Sequence, residues 1–163
     1  MTRKPADADV AIRAERFGAD DAAELVKQAD SANEAMYGHP DETPLDDSEF
    51  DPPARGLFLV AYVKGQPAAC GGYRVLPGDV SGGTAEIKRM YVSPASRRTG
   101  LGRAVLARLE DEARRDGYNR VILDVGSKQH AAHALYEAMG YHRVPGFSIY
   151  RDRPGNRAYA KDL

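Results

Sequence analysis

The stretch that most constrains how this chain can fold runs from Ala85 to Arg103. Its first half, up to Val92, is rich in strand-forming residues and stops at Ser93-Pro94, because proline cannot donate to a β-ladder. Thr99 is the predicted N-cap of a helix in which apolar residues recur at helical spacing from Leu101. The stretch therefore predicts a strand, a short turn and a helix that together form one right-handed crossover in an α/β sheet.

The turn in this stretch carries two closely spaced glycines, Gly100 and Gly102. Both let a ligand approach the backbone where the first N–H groups of a helix have no internal partner. Such a helix start binds anions, most often phosphate groups. Arg97, Arg98 and Arg103 lie in or beside the turn, so the sequence predicts a phosphate site there.

The same residues resemble the GNAT superfamily of N-acetyltransferases. Arg97-x-x-Gly100-x-Gly102 is similar to the (Arg/Gln)-x-x-Gly-x-(Gly/Ala) pyrophosphate loop of that superfamily, and the strand before it reads Glu-Ile-Lys-Arg-Met-Tyr-Val-x-Pro. Leu135-Tyr136-Glu137-x-x-Gly140-Tyr141 follows in the expected order and at the expected separation. The resemblance covers roughly residues 57 to 145. It implies an acyl-CoA N-acyltransferase fold, with a mixed, mostly antiparallel sheet flanked by helices.

Composition predicts one domain over residues 10–163, after a loose, polar segment at residues 1–9. The chain has 163 residues, which is long enough for a core without disulfides or metal. A net charge of −1 argues against a nucleic-acid partner. The single cysteine, Cys70, fits a reducing compartment. Because no signal peptide or membrane-spanning run is found, we expect a cytoplasmic protein without a membrane partner, as a monomer or homodimer.

Periodicity and turn residues predict the remaining elements in chain order. The first strand is expected at Val10–Phe17, followed by a helix with Asp20 as its N-cap and an end near Gly38. The other expected elements are a hairpin of 57–63 with 67–76, a helix from Leu101 to Gly117, a buried parallel strand at Val121–Val125, a helix at Ala131–Met139, and antiparallel strands at Tyr141–Val144, around Ser148–Arg151 and at Arg157–Asp162.

The chain lacks the sequence motifs of two other classes of nucleotide-binding protein. The chain lacks Gly-Lys-Ser/Thr, which argues against a P-loop NTPase. It also lacks Gly-x-Gly-x-x-Gly with a trailing acidic residue, which argues against a dinucleotide oxidoreductase.

The resemblance implies acetyl-CoA as co-substrate and assigns the backbone that would hold it. The pyrophosphate would lie on the amides of the glycine loop, and the pantetheine arm would run along the strand before it. Val92 N–H would polarise the thioester carbonyl. The alternative for the side chains of Met90 and Val92 is ordinary core packing. Gln129 stands where the superfamily often has asparagine, which changes the reach of the amide. The implied binding residues are Met90, Tyr91, Val92, Arg97, Arg98, Thr99, Gly100, Leu101, Gly102, Arg103 and Gln129.

Two side chains are candidates for proton transfer by the same resemblance. Glu86 falls where histone-acetylating members carry a catalytic glutamate, and burial can raise a carboxyl pKa far enough for a general base. The alternative is a structural ion pair with Arg or Lys on a neighbouring strand. Tyr136 is the candidate acid that protonates the leaving thiolate, and the alternative is a tyrosine that packs the helix onto the sheet.

An acidic segment between Asp41 and Asp51 contains six carboxylates and no Lys or Arg. It is either a solvated connection with a short helix around Asp46–Phe50, or a wall of the acceptor site that attracts a cationic amine. His130 and His133 have no third ligand in sight, so we expect no metal. Cys70 is expected to be a small buried strand residue instead of a nucleophile.

Together these features predict an N-acetyltransferase that moves an acetyl group from acetyl-CoA to a primary amine. Direct attack in a ternary complex is expected, on a small-molecule acceptor. The alternative is a non-catalytic acyl-CoA-binding sensor or regulatory module on the same fold, which would not need Glu86 or Tyr136. A longer-chain acyltransferase, or a glycine-loop protein for another phosphorylated ligand, is a third alternative.

Overall fold

The computed structural model describes residues 9–163, so the loose segment expected at residues 1–9 lies, apart from Asp9, outside the described residues. Seven strands form one sheet in the order β1-β2-β3-β4-β5-β7-β6. Their bounds are β1 Val10–Ala14, β2 Leu57–Val63, β3 Gln66–Val75, β4 Thr84–Val92, β5 Arg120–Val125, β6 His142–Val144 and β7 Arg157–Asp162. The β4–β5 pair is parallel and all the others are antiparallel, which confirms the predicted mixed sheet.

Three α-helices cover the two faces of the sheet: α1 Asp20–Tyr37, α2 Leu101–Arg115 and α3 His130–Ala138. One face packs against α2, where Val105 and Leu109 meet Tyr73, Ala85 and Val121. The other face packs against α1, through a smaller apolar cluster that includes Leu25, Phe50, Phe58 and Val60. Because side chains alternate along a strand, the residues between those of the α2 face point toward α1.

Two predicted helix caps were wrong by one residue. Ala19 is the N-cap of α1, and Asp20 is its first helical residue. Gly100 is the N-cap of α2 in a left-handed conformation with φ +84°, a conformation that threonine adopts only at a steric cost. The Thr99 hydroxyl instead donates to the Ser96 carbonyl oxygen at 2.6 Å.

The first strand ends at Ala14 and not at the predicted Phe17. Phe17 leaves the strand because its ring stacks on Phe50 at a centroid distance of 4.9 Å. Its backbone N–H also donates to Asp51 Oδ1 at 3.0 Å. These contacts come from a segment more than thirty residues away, which local periodicity does not report.

The strand predicted around Ser148–Arg151 was also wrong, because these residues form a turn. The Ser148 hydroxyl donates to Asp124, and the Tyr150 hydroxyl donates to Asp41 Oδ1 at 3.0 Å. The sheet is completed by β7, which pairs with β5 on one side and with β6 on the other. The segment at 145–151 is therefore a loop that packs on the face of the sheet.

Candidate active site

The central feature of the site is a separation between β4 and β5. The parallel ladder joins only Thr84, Ala85 and Glu86 to Arg120, Val121 and Ile122. Beyond Glu86, β4 runs on to Val92 without a ladder partner on its β5 side among the described residues. The outer half of β4 thus presents a free strand edge in the middle of the sheet.

A β-bulge in β4 lies where the two strands separate. Cys70 pairs with Tyr91 and Gly72 with Lys88, so three steps along β4 match two along β3. Arg89 has φ +60°, a strained value for a side chain of this size. The Cys70 thiol contacts the Arg89 carbonyl oxygen at 3.3 Å, which fixes the bulge from the β3 side.

The bulge and the ladder orient the backbone of Val92 toward the gap. Ser93 N–H donates to the Ala68 carbonyl oxygen on β3 at 2.8 Å. Because successive residues of an antiparallel pair alternate in direction, the N–H and C=O of Val92 face away from β3. Arg97 Nε donates to the Val92 carbonyl oxygen at 3.2 Å, as this direction requires. The Val92 N–H therefore points into the gap between β4 and β5.

The glycine loop that follows leaves a run of backbone donors without acceptors. Within residues 9–163, the N–H groups of Arg98 to Arg103 donate to no backbone or side-chain oxygen, and Ala104 is the first to bond back, to the Gly100 carbonyl oxygen at 3.1 Å. Six adjacent N–H groups without acceptors at the start of a 15-residue helix are the arrangement that an anion site requires.

The two glycines of this loop have different surroundings. A Cβ on Gly100 would meet no atom within 4 Å, so this position borders open space. A Cβ on Gly102 would come within 3.3 Å of Val92 Cγ2, so this glycine allows α2 to pack closely on β4. Arg98, which has φ +63°, and Arg103 are exposed beside them.

Glu86 is buried at the end of the parallel ladder and forms an ion pair. Its Oε1 accepts a hydrogen bond from Arg74 Nε at 2.9 Å, and Arg74 Nη2 lies 2.8 Å from the same oxygen, directly across the β3–β4 ladder. Burial raises the pKa of Glu86, while the charges of Lys88 and Arg74 oppose that rise. The ion pair named above as the alternative for Glu86 is therefore present.

Tyr136 is buried on α3, against the rings of Tyr141 and Tyr159. Burial, followed by the charge of Asp124, raises its pKa well above that of a free phenol. Its hydroxyl has no hydrogen-bond partner in the part of the chain that the structure describes. The side chain thus packs α3 onto the sheet and also keeps a protonated hydroxyl free.

Sequence reasoning missed Asp124. It lies on β5 two residues beyond Ile122, where the strands separate, on the same sheet face as Glu86. Its carboxylate accepts a hydrogen bond from the buried Ser148, and no Lys, Arg or His of the described residues forms an ion pair with it. The sequence does contain a signal for this residue: Asp124 is the single acid inside the otherwise apolar run Val121-Ile122-Leu123-Asp124-Val125.

Gln129 precedes α3 and contacts α1 instead of the gap. Its Nε2 donates to Asn33 Oδ1 at 3.3 Å. Next to it, Lys128 N–H donates to the Tyr37 hydroxyl at 3.0 Å. The end of α1 is thereby tied to the β5–α3 loop.

The acidic segment is held on the sheet by ion pairs. Asp41 lies 2.7 Å from Arg89 Nη1 and 3.2 Å from Lys88 Nζ. Although burial acts in the opposite direction, these two cations hold the pKa of Asp41 well below its usual range. Glu49 lies 3.1 Å from Arg74 Nη1. The short helix expected here is confirmed at Asp47–Phe50, but the segment is more than a solvated connection.

Other candidate groups have structural partners. His133 Nδ1 lies 3.1 Å from the Tyr159 hydroxyl, and Nε2 lies 2.9 Å from the Gly126 carbonyl oxygen. In the described part of the chain no three His, Cys, Asp or Glu side chains are grouped as a metal site would require. Cys70 is buried, which raises its pKa to about 12. None of the helices within residues 9–163 combines the length and apolarity needed to cross a bilayer.

A family model described as the acetyltransferase (GNAT) family matches residues 22–141. The chain belongs to the GNAT family. It is 38% identical over 97 residues to the IAA acetyltransferase of Azospirillum brasilense, an alignment that covers 60% of this chain and 61% of that protein. The match thus spans about three fifths of the length of this curated relative.

Solved structures share the GNAT fold over nearly the whole chain. A Klebsiella pneumoniae protein described as an acyl-CoA N-acyltransferase has a TM-score of 0.77 at 26% identity, over 94% of this chain and 97% of that one. A GNAT family acetyltransferase from Elizabethkingia anophelis, solved with acetyl-CoA bound, has a TM-score of 0.69 at 16% identity, over 96% and 100%. The predicted family and fold are confirmed, and the names of these relatives support the predicted enzyme class.

Removing Arg74 tests whether Glu86 depends on its ion pair. Arg74→Met leaves a buried carboxylate without a partner, so we expect it to lower the free energy of unfolding by about 3–5 kcal/mol in urea titrations at pH 7. Because protonation removes the uncompensated charge, the loss should shrink as pH falls. Arg114→Met, which breaks an exposed pair with Asp111, is the control and should cost less than about 1 kcal/mol. Equal losses in the two variants would contradict a structural role for the Arg74–Glu86 pair.

Proposed function

We propose that this protein transfers the acetyl group of acetyl-CoA to the primary amine of a small molecule, by direct attack in a ternary complex. The observation that carries the proposal is the run of unbonded backbone donors from Arg98 to Arg103, which follows directly on a free strand edge. An anion site and an extended-chain site in series match a ligand that has a pyrophosphate at one end and two amides in its arm. Acetyl-CoA bound to the Elizabethkingia relative supports the same assignment.

In this proposal the backbone makes most of the contacts with acetyl-CoA. The N–H groups of the glycine loop bind the pyrophosphate, and the edge of β4 at Met90, Tyr91 and Val92 pairs with the pantetheine amides. Two side chains of the predicted set already have partners, since Arg97 bonds the Val92 carbonyl and Gln129 bonds Asn33. These bonds leave the Nη groups of Arg97 and the Oε1 of Gln129 as the atoms that remain for a contact with acetyl-CoA.

The amine must lose a proton before or during attack, and two carboxylates are candidates to accept it. Glu86 has the raised pKa that suits a base, but the ion pair with Arg74 and the hydrogen bond from its Nε favour the ionised form of Glu86 and reduce its basicity. Asp124 has no cationic partner among the described residues and lies where β4 and β5 separate. The geometry therefore favours Asp124 as the group that binds and deprotonates the ammonium, with Glu86 as the second candidate.

The remaining steps concern the charge on oxygen and on sulfur. Acetyl-CoA supplies a thioester, whose C–S bond breaks as the C–N bond of the amide forms. The Val92 N–H is the proposed donor to the carbonyl oxygen as negative charge develops there. Tyr136 is protonated at physiological pH, as a phenol is, and the proposal makes it the acid that protonates the leaving thiolate. Its raised pKa makes it a weaker acid than a free phenol, so its part in this role is the position of its unbonded hydroxyl.

Substitution of Gly100 tests the anion site. Gly100→Val places side-chain bulk where phosphate is expected, so we predict at least a tenfold loss of acetyl-CoA affinity by isothermal titration, roughly the value of one charge-assisted contact. Gly78→Val is a matched control, because Gly78 has the same φ of +84° and equally open surroundings in a different loop. Both variants should lose similar stability. If they also have similar acetyl-CoA affinity, the loop is not the phosphate site.

The pH profile of turnover tests the proton acceptor and the sensor alternative together. Asp124→Asn should lower kcat by about 10²–10⁴-fold with an unchanged acetyl-CoA affinity, as loss of a general base does. Glu86→Gln should shift the profile to higher pH only if Glu86 is the base. Asp152→Asn, whose side chain is 94% exposed, is the control and should leave turnover unchanged. Tight acetyl-CoA binding without turnover on any amine would favour the non-catalytic sensor.

A further inference from the structure

On the sheet face that carries Glu86 and Asp124, the described residues of β3 and β4 include three cationic side chains, and each one already has an anionic partner. This inference rests on the proposed function, because it concerns which amines could reach Asp124. Arg74, Lys88 and Arg89 lie on β3 and β4 and are all at least nine-tenths buried. Whether any of them is free to bind an acceptor depends on these pairings.

Arg74 and Lys88 both form ion pairs with acidic side chains and donate further hydrogen bonds. Arg74 lies between Glu86 at 2.8 Å and Glu49 at 3.1 Å, and it also donates to the Pro44 carbonyl oxygen at 2.9 Å. Lys88 Nζ lies 3.2 Å from Asp41 and donates to the Thr43 hydroxyl at 3.0 Å. The acids paired with these two cations would repel a further anion.

Arg89 also lies beside acidic side chains, although two of its nitrogen atoms make no hydrogen bond within residues 9–163. Its Nη1 lies 2.7 Å from Asp41 and 3.8 Å from Asp30. Its Nε and Nη1 are buried without a hydrogen bond of good geometry, and so is Asp30 Oδ1. A second carboxylate brought to Arg89 would meet these two acids at close range, which opposes its binding.

Asp124 is different, because its negative charge has no cationic partner in residues 9–163. Its one hydrogen bond comes from the Ser148 hydroxyl, a neutral donor on the loop at 145–151. Nearby cations at the rim are directed elsewhere: Lys128 Nζ donates to the Met36 carbonyl oxygen, and Arg151 donates to the Ser148 carbonyl oxygen. The charge without a partner where β4 and β5 separate is therefore negative, and it lies next to the proposed point of attack.

We infer that the acceptor is an amine without a carboxylate beside the reacting nitrogen, such as an alkyl amine, an aralkyl amine or a polyamine, and that α-amino acids are rejected. The ammonium replaces the Ser148 hydroxyl as the donor to Asp124 and supplies the missing positive charge. An α-carboxylate arrives beside Asp124 and Glu86, and the cations of β3 and β4 are already paired with acids. Like charges brought together in a partly buried site oppose binding.

Matched acceptors test this inference on the unmodified protein. Phenylalanine, its primary amide and phenethylamine share one side chain and differ in the group beside the amine. We predict that the amide and phenethylamine have kcat/KM at least tenfold above that of phenylalanine in a CoA-release assay, and that tyrosine, its amide and tyramine follow the same order. Titration of each compound into the complex of protein with CoA measures the same preference without turnover. Ionic strength is fixed, since screening reduces the effect.

The outcomes separate this inference from the proposed reaction. Equal or better turnover or binding of the free amino acids would overturn the inference and leave the acetyl transfer intact. If no compound turns over but the amides and amines bind the CoA complex more tightly than the acids, the inference holds and the proposed reaction fails for these amines. If all three members of each series bind equally, or none binds, the inference is wrong.

Discussion

The whole site depends on the early end of the parallel β4–β5 ladder. Only three residue pairs join the two strands before they separate, and β4 then continues for six residues with a free edge inside the sheet. A free edge is normally a liability at the border of a sheet, because its N–H and C=O groups seek partners. Here the bulge at Arg89 and the helix packing on both faces hold it open in the centre. The strand that forms this edge leads directly into the glycine loop, so one continuous stretch of backbone supplies both parts of the proposed acetyl-CoA site.

Ion pairs on the α1 face support this arrangement from the acceptor side. Asp41 contacts Arg89 at the bulge and Lys88 one residue earlier, so a loop that follows α1 is anchored where β4 changes direction. Buried ion pairs contribute little net stability, because desolvation offsets the attraction, but loss of one partner is costly. Their effect here is to fix the position of the loop and to pair the cations of β3 and β4 with acids. Asp124 is left as the carboxylate that an incoming ammonium would meet.

The sequence was most informative where structure depends on local chemistry. The strand, turn and helix around Gly100 could be predicted because proline, glycine and helical periodicity act over a few residues. Thr99 was misplaced by one position, because the positive φ of Gly100 made the glycine the cap. The loop at Ser148–Arg151 read as a strand, because the partners of its polar side chains, Asp124 and Asp41, are distant in sequence. For the same reason the pairing of the acidic segment with three cations of β3 and β4 could not be predicted from its charge alone.

The most direct test of the central claim is amide hydrogen exchange of the protein with and without acetyl-CoA, resolved to single residues. Amides without acceptors exchange rapidly in the free protein, and those that bond a ligand become protected. We expect acetyl-CoA to slow exchange at Val92 and across Arg98–Arg103 and to leave the loop at Gly78 unaffected. Protection elsewhere, with these seven amides still exchanging rapidly, would contradict the proposed acetyl-CoA site.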